Sequence, residues 1–321
     1  MRAAEGRVQR VTEREFAANR LGMSDHPRPP KRIFPTSEVD AKSAEHVPSI
    51  PQTESKSYKL AFQDTDFLLR EDLRPVRFQL ELLKPELLLN EANIGSTFVF
   101  YGSARIPSPD MADALIAAAT NPQQEAIAQR LKAKSRYYDV ARELARLASR
   151  CGQDEEGKHQ FVVCSGGGPS IMEASNRGAA DEGRESIALN IVLPHEQLPN
   201  RWVTPDLSFQ FHYFALRKMH FLLRARAVAV FPGGYGTFDE MFELLTLVQT
   251  GKVRPLPILL FGRDYWNRVV NFEAMVEEGV ISPHDLDLIH WSEDAEEAWE
   301  FVSNFYAEHP APQREERGRP E

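Results

Sequence analysis

The feature that most constrains this chain is a repeated unit in which a short apolar run ends in glycines and a helix-forming stretch follows. Phe161-Val162-Val163-Cys164 runs into Gly166-Gly167-Gly168-Pro169, and residues 227–231 run into Pro232-Gly233-Gly234-Tyr235-Gly236. Similar runs lie at Thr97-Phe98-Val99-Phe100-Tyr101, which ends in Gly102-Ser103-Ala104-Arg105, and at 187–192 and 257–261. They are continuously apolar rather than alternating, as strands covered on both faces must be. Strands alternating with helices predict an α/β fold: a Rossmann-like, doubly wound, mostly parallel sheet with helices on both faces. Ligands of such sheets bind beyond the carboxyl ends of the strands, where these glycine turns fall.

Around that core the chain is uneven. Six of the 22 prolines lie between Pro27 and Pro51 and three more are Pro310, Pro312 and Pro320. We therefore expect a flexible arm over 1–56 and a disordered tail over 309–321. A helical extension is predicted over 57–93, where Leu68, Leu69, Leu73, Phe78, Leu80, Leu82 and Leu83 cluster and Pro75 and Pro85 break the run. The α/β domain is expected over 94–308. Within it, residues 110–149 are predicted to form two helices divided at Pro122, and residues 211–223 an apolar helical segment.

Composition removes several classes of function. Lys+Arg 38 against Asp+Glu 47 gives a net charge of −9, and an acidic surface without a basic patch repels nucleic acid. Cys151 and Cys164 form no CxxC pair, so neither a disulfide framework nor a zinc site is expected, which fits a reducing cytoplasm. No apolar run approaches the ~18 residues of a membrane helix, and the N-terminus lacks an apolar secretory core. The expected setting is cytoplasmic, with no membrane or nucleic-acid partner, no metal and no cofactor.

The glycine turns are not familiar fingerprints. A dinucleotide loop needs a sixth-position glycine, but counting from Gly166 that position is Ile171, and from Gly234 it is Asp239. The pair Gly251-Lys252 is followed by Val253, so no ATPase phosphate loop is present there. Glycines at helix starts still let backbone approach an anion and present amides to it, and a single phosphate is the natural guest. Gly102-Ser103, Gly166 to Gly168 and Gly233 to Thr237 converge on one crevice if their strands are neighbours.

Pro232-Gly233-Gly234-Tyr235-Gly236-Thr237-Phe238-Asp239-Glu240, with Gly166-Gly167-Gly168-Pro169-Ser170-Ile171-Met172-Glu173 before it and Arg217-Lys218 between, resembles the Lonely Guy (LOG) family of nucleoside 5′-monophosphate phosphoribohydrolases. The resemblance spans about residues 97–261. It implies a Rossmann-like, usually dimeric enzyme that hydrolyses the N-glycosidic bond of AMP or a cytokinin riboside 5′-monophosphate to free base and ribose 5-phosphate. No nicotinamide or metal is implied. It also implies that Glu240 and Arg217 are catalytic. Candidates for holding the substrate or its phosphate are Gly102, Ser103, Gly166, Gly167, Gly168, Glu173, Lys218, Gly233, Gly234, Gly236, Thr237 and Asp239.

Plainer readings compete. Thr237-x-x-Glu240 and Ser170-x-x-Glu173 both fit a capping box, which makes either glutamate structural. A helix-start position is expected to keep Glu240 ionised near neutral pH. A carboxylate near C1′ can stabilise an oxocarbenium-like state, activate water or attack covalently. Arg217 and Arg224 are seven apart and fit a solvated helix stripe. Family members often carry His two residues before this arginine; here that position is Ala215, with His212 and His220 the nearby imidazoles. Arg105 and the loop Pro194-His195-Glu196-Gln197 are lesser candidates. The alternative function is a nucleotide sensor that binds without turnover.

Overall fold

The computed structural model describes residues 34–194 and 198–309. Expectations for the arm before Phe34, for His195, Glu196 and Gln197, and for the tail beyond His309 lie outside the described residues. The chain divides into two compact units between Leu73 and Arg74, inside the stretch expected as one helical extension.

In the first unit, α1 (Ser37–Ala44) starts at Thr36, whose hydroxyl accepts from the Val39 amide, and α2 (Thr65–Leu68) starts at Asp64 in the same way. No residue from 34 to 73 is buried.

The second unit opens with α3 (Arg74–Glu91), which runs straight through Pro85. Proline has no amide hydrogen and leaves the carbonyl four residues back unpaired. Here that carbonyl, on Glu81, accepts instead from His220 Nε2 at 3.1 Å. The helix therefore continues where a break was expected, because a neighbouring side chain supplies the missing donor.

A seven-stranded parallel sheet follows, in the order β4-β3-β2-β1-β5-β6-β7. Its strands are β1 (Thr97–Tyr101), β2 (Val162–Ser165), β3 (Ser186–Ile191), β4 (Ser208–Phe211), β5 (Ala225–Val230), β6 (Ile258–Phe261) and β7 (His290–Ser292). The sheet carries a core on each face. Val99 and Tyr101 point into one, while Phe98 and Phe100 point into the other, which is why β1 reads as an unbroken apolar run.

Between β1 and β2 lie α4 (Pro109–Ala117), α5 (Pro122–Lys132) and α6 (Arg136–Ser149). Three helices stand where two were expected. The extra break falls at 133–135, where neither proline nor glycine announces it, and the Ser135 hydroxyl donates to the Lys132 carbonyl at 2.7 Å. Then come α7 (Ile171–Asp181), α8 (Phe214–Leu223), α9 (Tyr235–Gln249), α10 (Arg263–Val269), α11 (Phe272–Glu277) and α12 (Ala295–Glu308). Helices α6, α7 and α12 close one face with Leu144, Ile171 and Val302. Helices α3, α8, α9 and α10 close the other with Leu89, Phe221, Met241 and Trp266.

Strands β4 and β7 were not expected. β4 sits at one edge of the sheet, mixes Ser208 and Gln210 with two phenylalanines, and takes Phe211 from a segment that reads as helix; β7 has only three residues. Among the described residues, no helix is long and apolar enough to cross a membrane.

Candidate active site

Because β2, β1 and β5 are adjacent, the turns after them leave the sheet side by side. The direction of strand succession reverses between β1 and β5, the position at which open α/β sheets form a ligand crevice. The Ser103 amide donates to the Pro232 carbonyl at 3.1 Å, tying the first turn to the third. Gly102 packs on Ile171 at the start of α7. At Gly233 a β-carbon would lie 2.1 Å from Thr237 Oγ1, so only glycine allows the turn to close over the buried threonine. The Gly233 carbonyl accepts from the Tyr265 hydroxyl.

Neither expected capping box exists. Helix α9 starts at Gly234, which places Thr237 inside the first turn, and α7 starts at Ser170, whose hydroxyl donates to the Ile106 carbonyl instead. No side chain caps either helix, so their first-turn amides are left for other acceptors. Glu173 accepts from the Tyr138 hydroxyl at 3.3 Å.

Glu240 sits past the first turn of α9, with its side chain 14% exposed. Arg217, on α8, is 12% exposed and holds Nη1 3.4 Å from Glu240 Oε1. Its Nε donates to the Leu189 carbonyl at 2.7 Å, and its guanidinium lies 5.1 Å from the Phe221 ring centre. A β-carbon on Gly166 would come within 2.7 Å of Arg217 Nη2, so the arginine reaches from the glutamate to the second glycine turn. It is not part of a solvated stripe. Arg224 is equally engaged elsewhere, donating to Glu86 at 2.8 Å and to Asn90 at 3.0 Å.

Burial pushes the Glu240 carboxyl up to about 7; Arg217 and Lys218 pull it down, while Asp239 and Glu243 push it further up. The expectation that the helix start keeps it ionised near neutral pH is corrected: desolvation outweighs the dipole once the group lies beyond the first turn. The Tyr101 hydroxyl, fully buried at the end of β1, is held well above its ordinary value by that burial and by Glu240.

Lys218 and Asp239 meet each other at 2.9 Å, and Lys218 also pairs with Glu243 at 3.0 Å. Ser103 Oγ accepts from the Arg105 amide at 3.0 Å, and Arg105 is exposed. Neither imidazole stands in for the histidine replaced by Ala215. His220 is buried against α3, where burial pulls its pKa down, and His212 is exposed with its ring edge-on to Tyr213. Among the described residues, no group of three or more His, Cys, Asp or Glu is arranged to hold a metal ion.

Several supporting residues escaped the sequence reading. The Glu81 carboxylate accepts from the amides of His212 at 2.8 Å and Tyr213 at 3.1 Å, just ahead of α8. Asn176 and Asn200 bond to one another beneath the second glycine turn at 2.9 Å. These contacts act across long sequence separations, and no local pattern in the sequence announces them.

Comparison with known proteins agrees with this geometry. A family model described as "Possible lysine decarboxylase" matches residues 172–302. Cytokinin riboside 5′-monophosphate phosphoribohydrolase LOG3 of Arabidopsis thaliana is 30% identical over 161 residues, covering 49% of this chain and 69% of that protein. Probable cytokinin riboside 5′-monophosphate phosphoribohydrolase LOGL3 of Oryza sativa subsp. japonica is 27% identical over 185 residues, covering 55% and 80%. The solved Moco carrier protein of Chlamydomonas reinhardtii aligns with 66% of this chain and 99% of its own at 17% identity and a TM-score of 0.39, too distant to bear on function. With two thirds of a 30% identical relative covered, and the stretch from Pro232 to Glu240 seated at the sheet's switch point, this chain belongs to the LOG family.

Proposed function

We propose that this chain hydrolyses the N-glycosidic bond of a purine nucleoside 5′-monophosphate, AMP or a cytokinin riboside 5′-monophosphate, to free base and ribose 5-phosphate. The observation that carries the reading is the near-buried pair of Arg217 and Glu240, set between the glycine turns that follow β2 and β5. Uncapped helix starts and glycine backbone suit a phosphate at one end of the nucleotide. The carboxylate lies at the other end, by the sugar. Loss of the base builds positive charge on C1′ and the ring oxygen, and ionised Glu240 stabilises that charge and directs a water to C1′. Arg217 keeps part of the Glu240 population ionised and fixes its direction through the Leu189 carbonyl.

The test is a panel of nucleoside 5′-monophosphates incubated with the protein and scored by chromatography for released base. Release of adenine or a cytokinin base supports the reading. Nucleotide binding without release would make the chain a sensor.

We also infer that the enzyme is a homodimer. Met219 and Leu223, one turn apart on α8, are exposed and line an apolar groove with Leu222, Leu247, Val253 and Leu256. A second copy is the occupant, and a monomeric mass by light scattering would reject it.

A further inference from the structure

Resting on that reading, the structure points to a positioning residue for the phosphate cradle, Asn200, on the connection between β3 and β4. Its Nδ2 donates to the Gly167 carbonyl at 3.2 Å, the Gly168 carbonyl at 3.1 Å and Asn176 Oδ1 at 2.9 Å. Its backbone amide donates to the Gly167 carbonyl as well, at 2.8 Å. Asn176, wholly buried in α7, also accepts from the Ser165 hydroxyl at 2.8 Å, and Ser165 Oγ in turn accepts from the Gly167 amide at 3.0 Å. One connected polar network thus grips the turn from beneath, while Arg217 lies by Gly166.

The direction of the peptides follows. In a trans peptide the N–H points opposite to the C=O. All described peptides are trans, so the Gly168 N–H points away from Asn200, and it has no partner among the described residues. Two carbonyl oxygens that would repel an anion are tied up, and a donor that would attract one faces the other way. The lock matters because glycine flanks the 167–168 peptide on both sides and Gly167 already has φ of +75°. Such a peptide flips at little steric cost, and a flip would exchange the donor for an acceptor.

We propose that Asn200, supported by Asn176 and Ser165, holds this turn in its anion-binding orientation and so sets affinity for the 5′-phosphate without touching the glycosidic bond. The experiment compares wild-type protein with Asn200→Ala and Asn200→Asp. The readouts are titration calorimetry with ribose 5-phosphate, steady-state kinetics on AMP, and thermal melting. The aspartate variant keeps the side-chain volume but turns an oxygen toward both carbonyls and has no N–H to give them, so binding and kinetics are read on each variant that melts as a folded protein.

In both variants the Kd for ribose 5-phosphate and the KM for AMP are expected to rise roughly tenfold or more, with kcat within about threefold of wild type. The acid limb of the pH profile is expected to stay in place. Variants with unchanged Kd and KM overturn the proposal even if they melt earlier, and so does an equal fall in kcat at unchanged KM. Wild-type protein that binds no ribose 5-phosphate overturns it too, but through failure of the functional reading, visible before any variant is made.

Discussion

Arg217 Nη1 stands 3.4 Å from Glu240 Oε1 with both side chains nearly enclosed, yet the glutamate titrates at about 7. The ion pair therefore does not fully repay the glutamate's burial. A carboxyl raised in the folded state favours folding in its neutral form. Stability is full below the ordinary value of 4.5 and falls as pH rises from there to about 7.

Glu240→Gln is expected to abolish base release while retaining ribose 5-phosphate binding, because the neutral amide keeps the shape and loses the charge. It is also expected to stabilise the protein at pH 8 by roughly 1 to 3 kcal/mol, since it mimics the protonated form that the fold prefers. At pH 4.5 that gain disappears. Melting curves at the two pH values check the sign, and a variant less stable than wild type at pH 8 contradicts the burial argument.

The pH dependence of kcat/KM follows from the same group. With ionised Glu240 as the working form, the rate is expected to rise about tenfold per pH unit below an apparent pKa of about 7 and then level off. Arg217 lowers the glutamate's pKa, so Arg217→Gln moves that limb to higher pH, whereas Arg217→Lys keeps the charge and moves it much less. A limb indifferent to both substitutions would detach it from Glu240.

What the sequence disclosed divides along physical lines. The strands β1, β2, β3, β5 and β6 are legible because burial on both faces demands continuous apolar residues. Edge strands β4 and β7 carry no such demand. Glu240 and Arg217 stand out through the motif that contains them, but the carboxyl's protonation does not, since it is set by burial in the folded protein and by charges that other elements bring beside it, Arg217 and Lys218 on α8. Pro85 is misleading for a related reason: the donor that satisfies the Glu81 carbonyl it leaves unpaired is His220, far away in sequence.

Two glycine substitutions separate crowding from open space. At Gly166 a β-carbon meets Arg217 Nη2 at 2.7 Å and Met172 Sδ at 2.9 Å, both ends of flexible side chains. Gly166→Ala is therefore expected to displace the arginine and cut kcat/KM by about tenfold or more at little cost in melting temperature. At Gly236 a β-carbon meets nothing within 4 Å, so Gly236→Ala is expected to stabilise α9 by up to about 1 kcal/mol. If this backbone cradles the phosphate, KM for AMP also rises; unchanged kinetics would remove Gly236 from the cradle.

The helix α3 is expected to matter to the site although it contributes nothing that touches substrate. Glu81 accepts the His212 and Tyr213 amides ahead of α8, Phe78 stacks on Tyr213 at 4.0 Å, and Glu86 holds Arg224 at the far end of α8. Arg217 lies one turn beyond Tyr213, its amide bonded to the Tyr213 carbonyl at 3.1 Å. Glu81→Ala leaves two amides without their acceptor and a helix start without its negative charge, which costs about 1 to 2 kcal/mol. It should also lower kcat/KM by loosening the arginine. Deleting residues 1–73, a unit with no buried residue among those described, is expected to leave base release intact, whereas deletion through residue 93 takes Leu89 from the core and should abolish it. Equal activity of the two truncations, measured on folded protein, would show that α8 keeps Arg217 in place without α3.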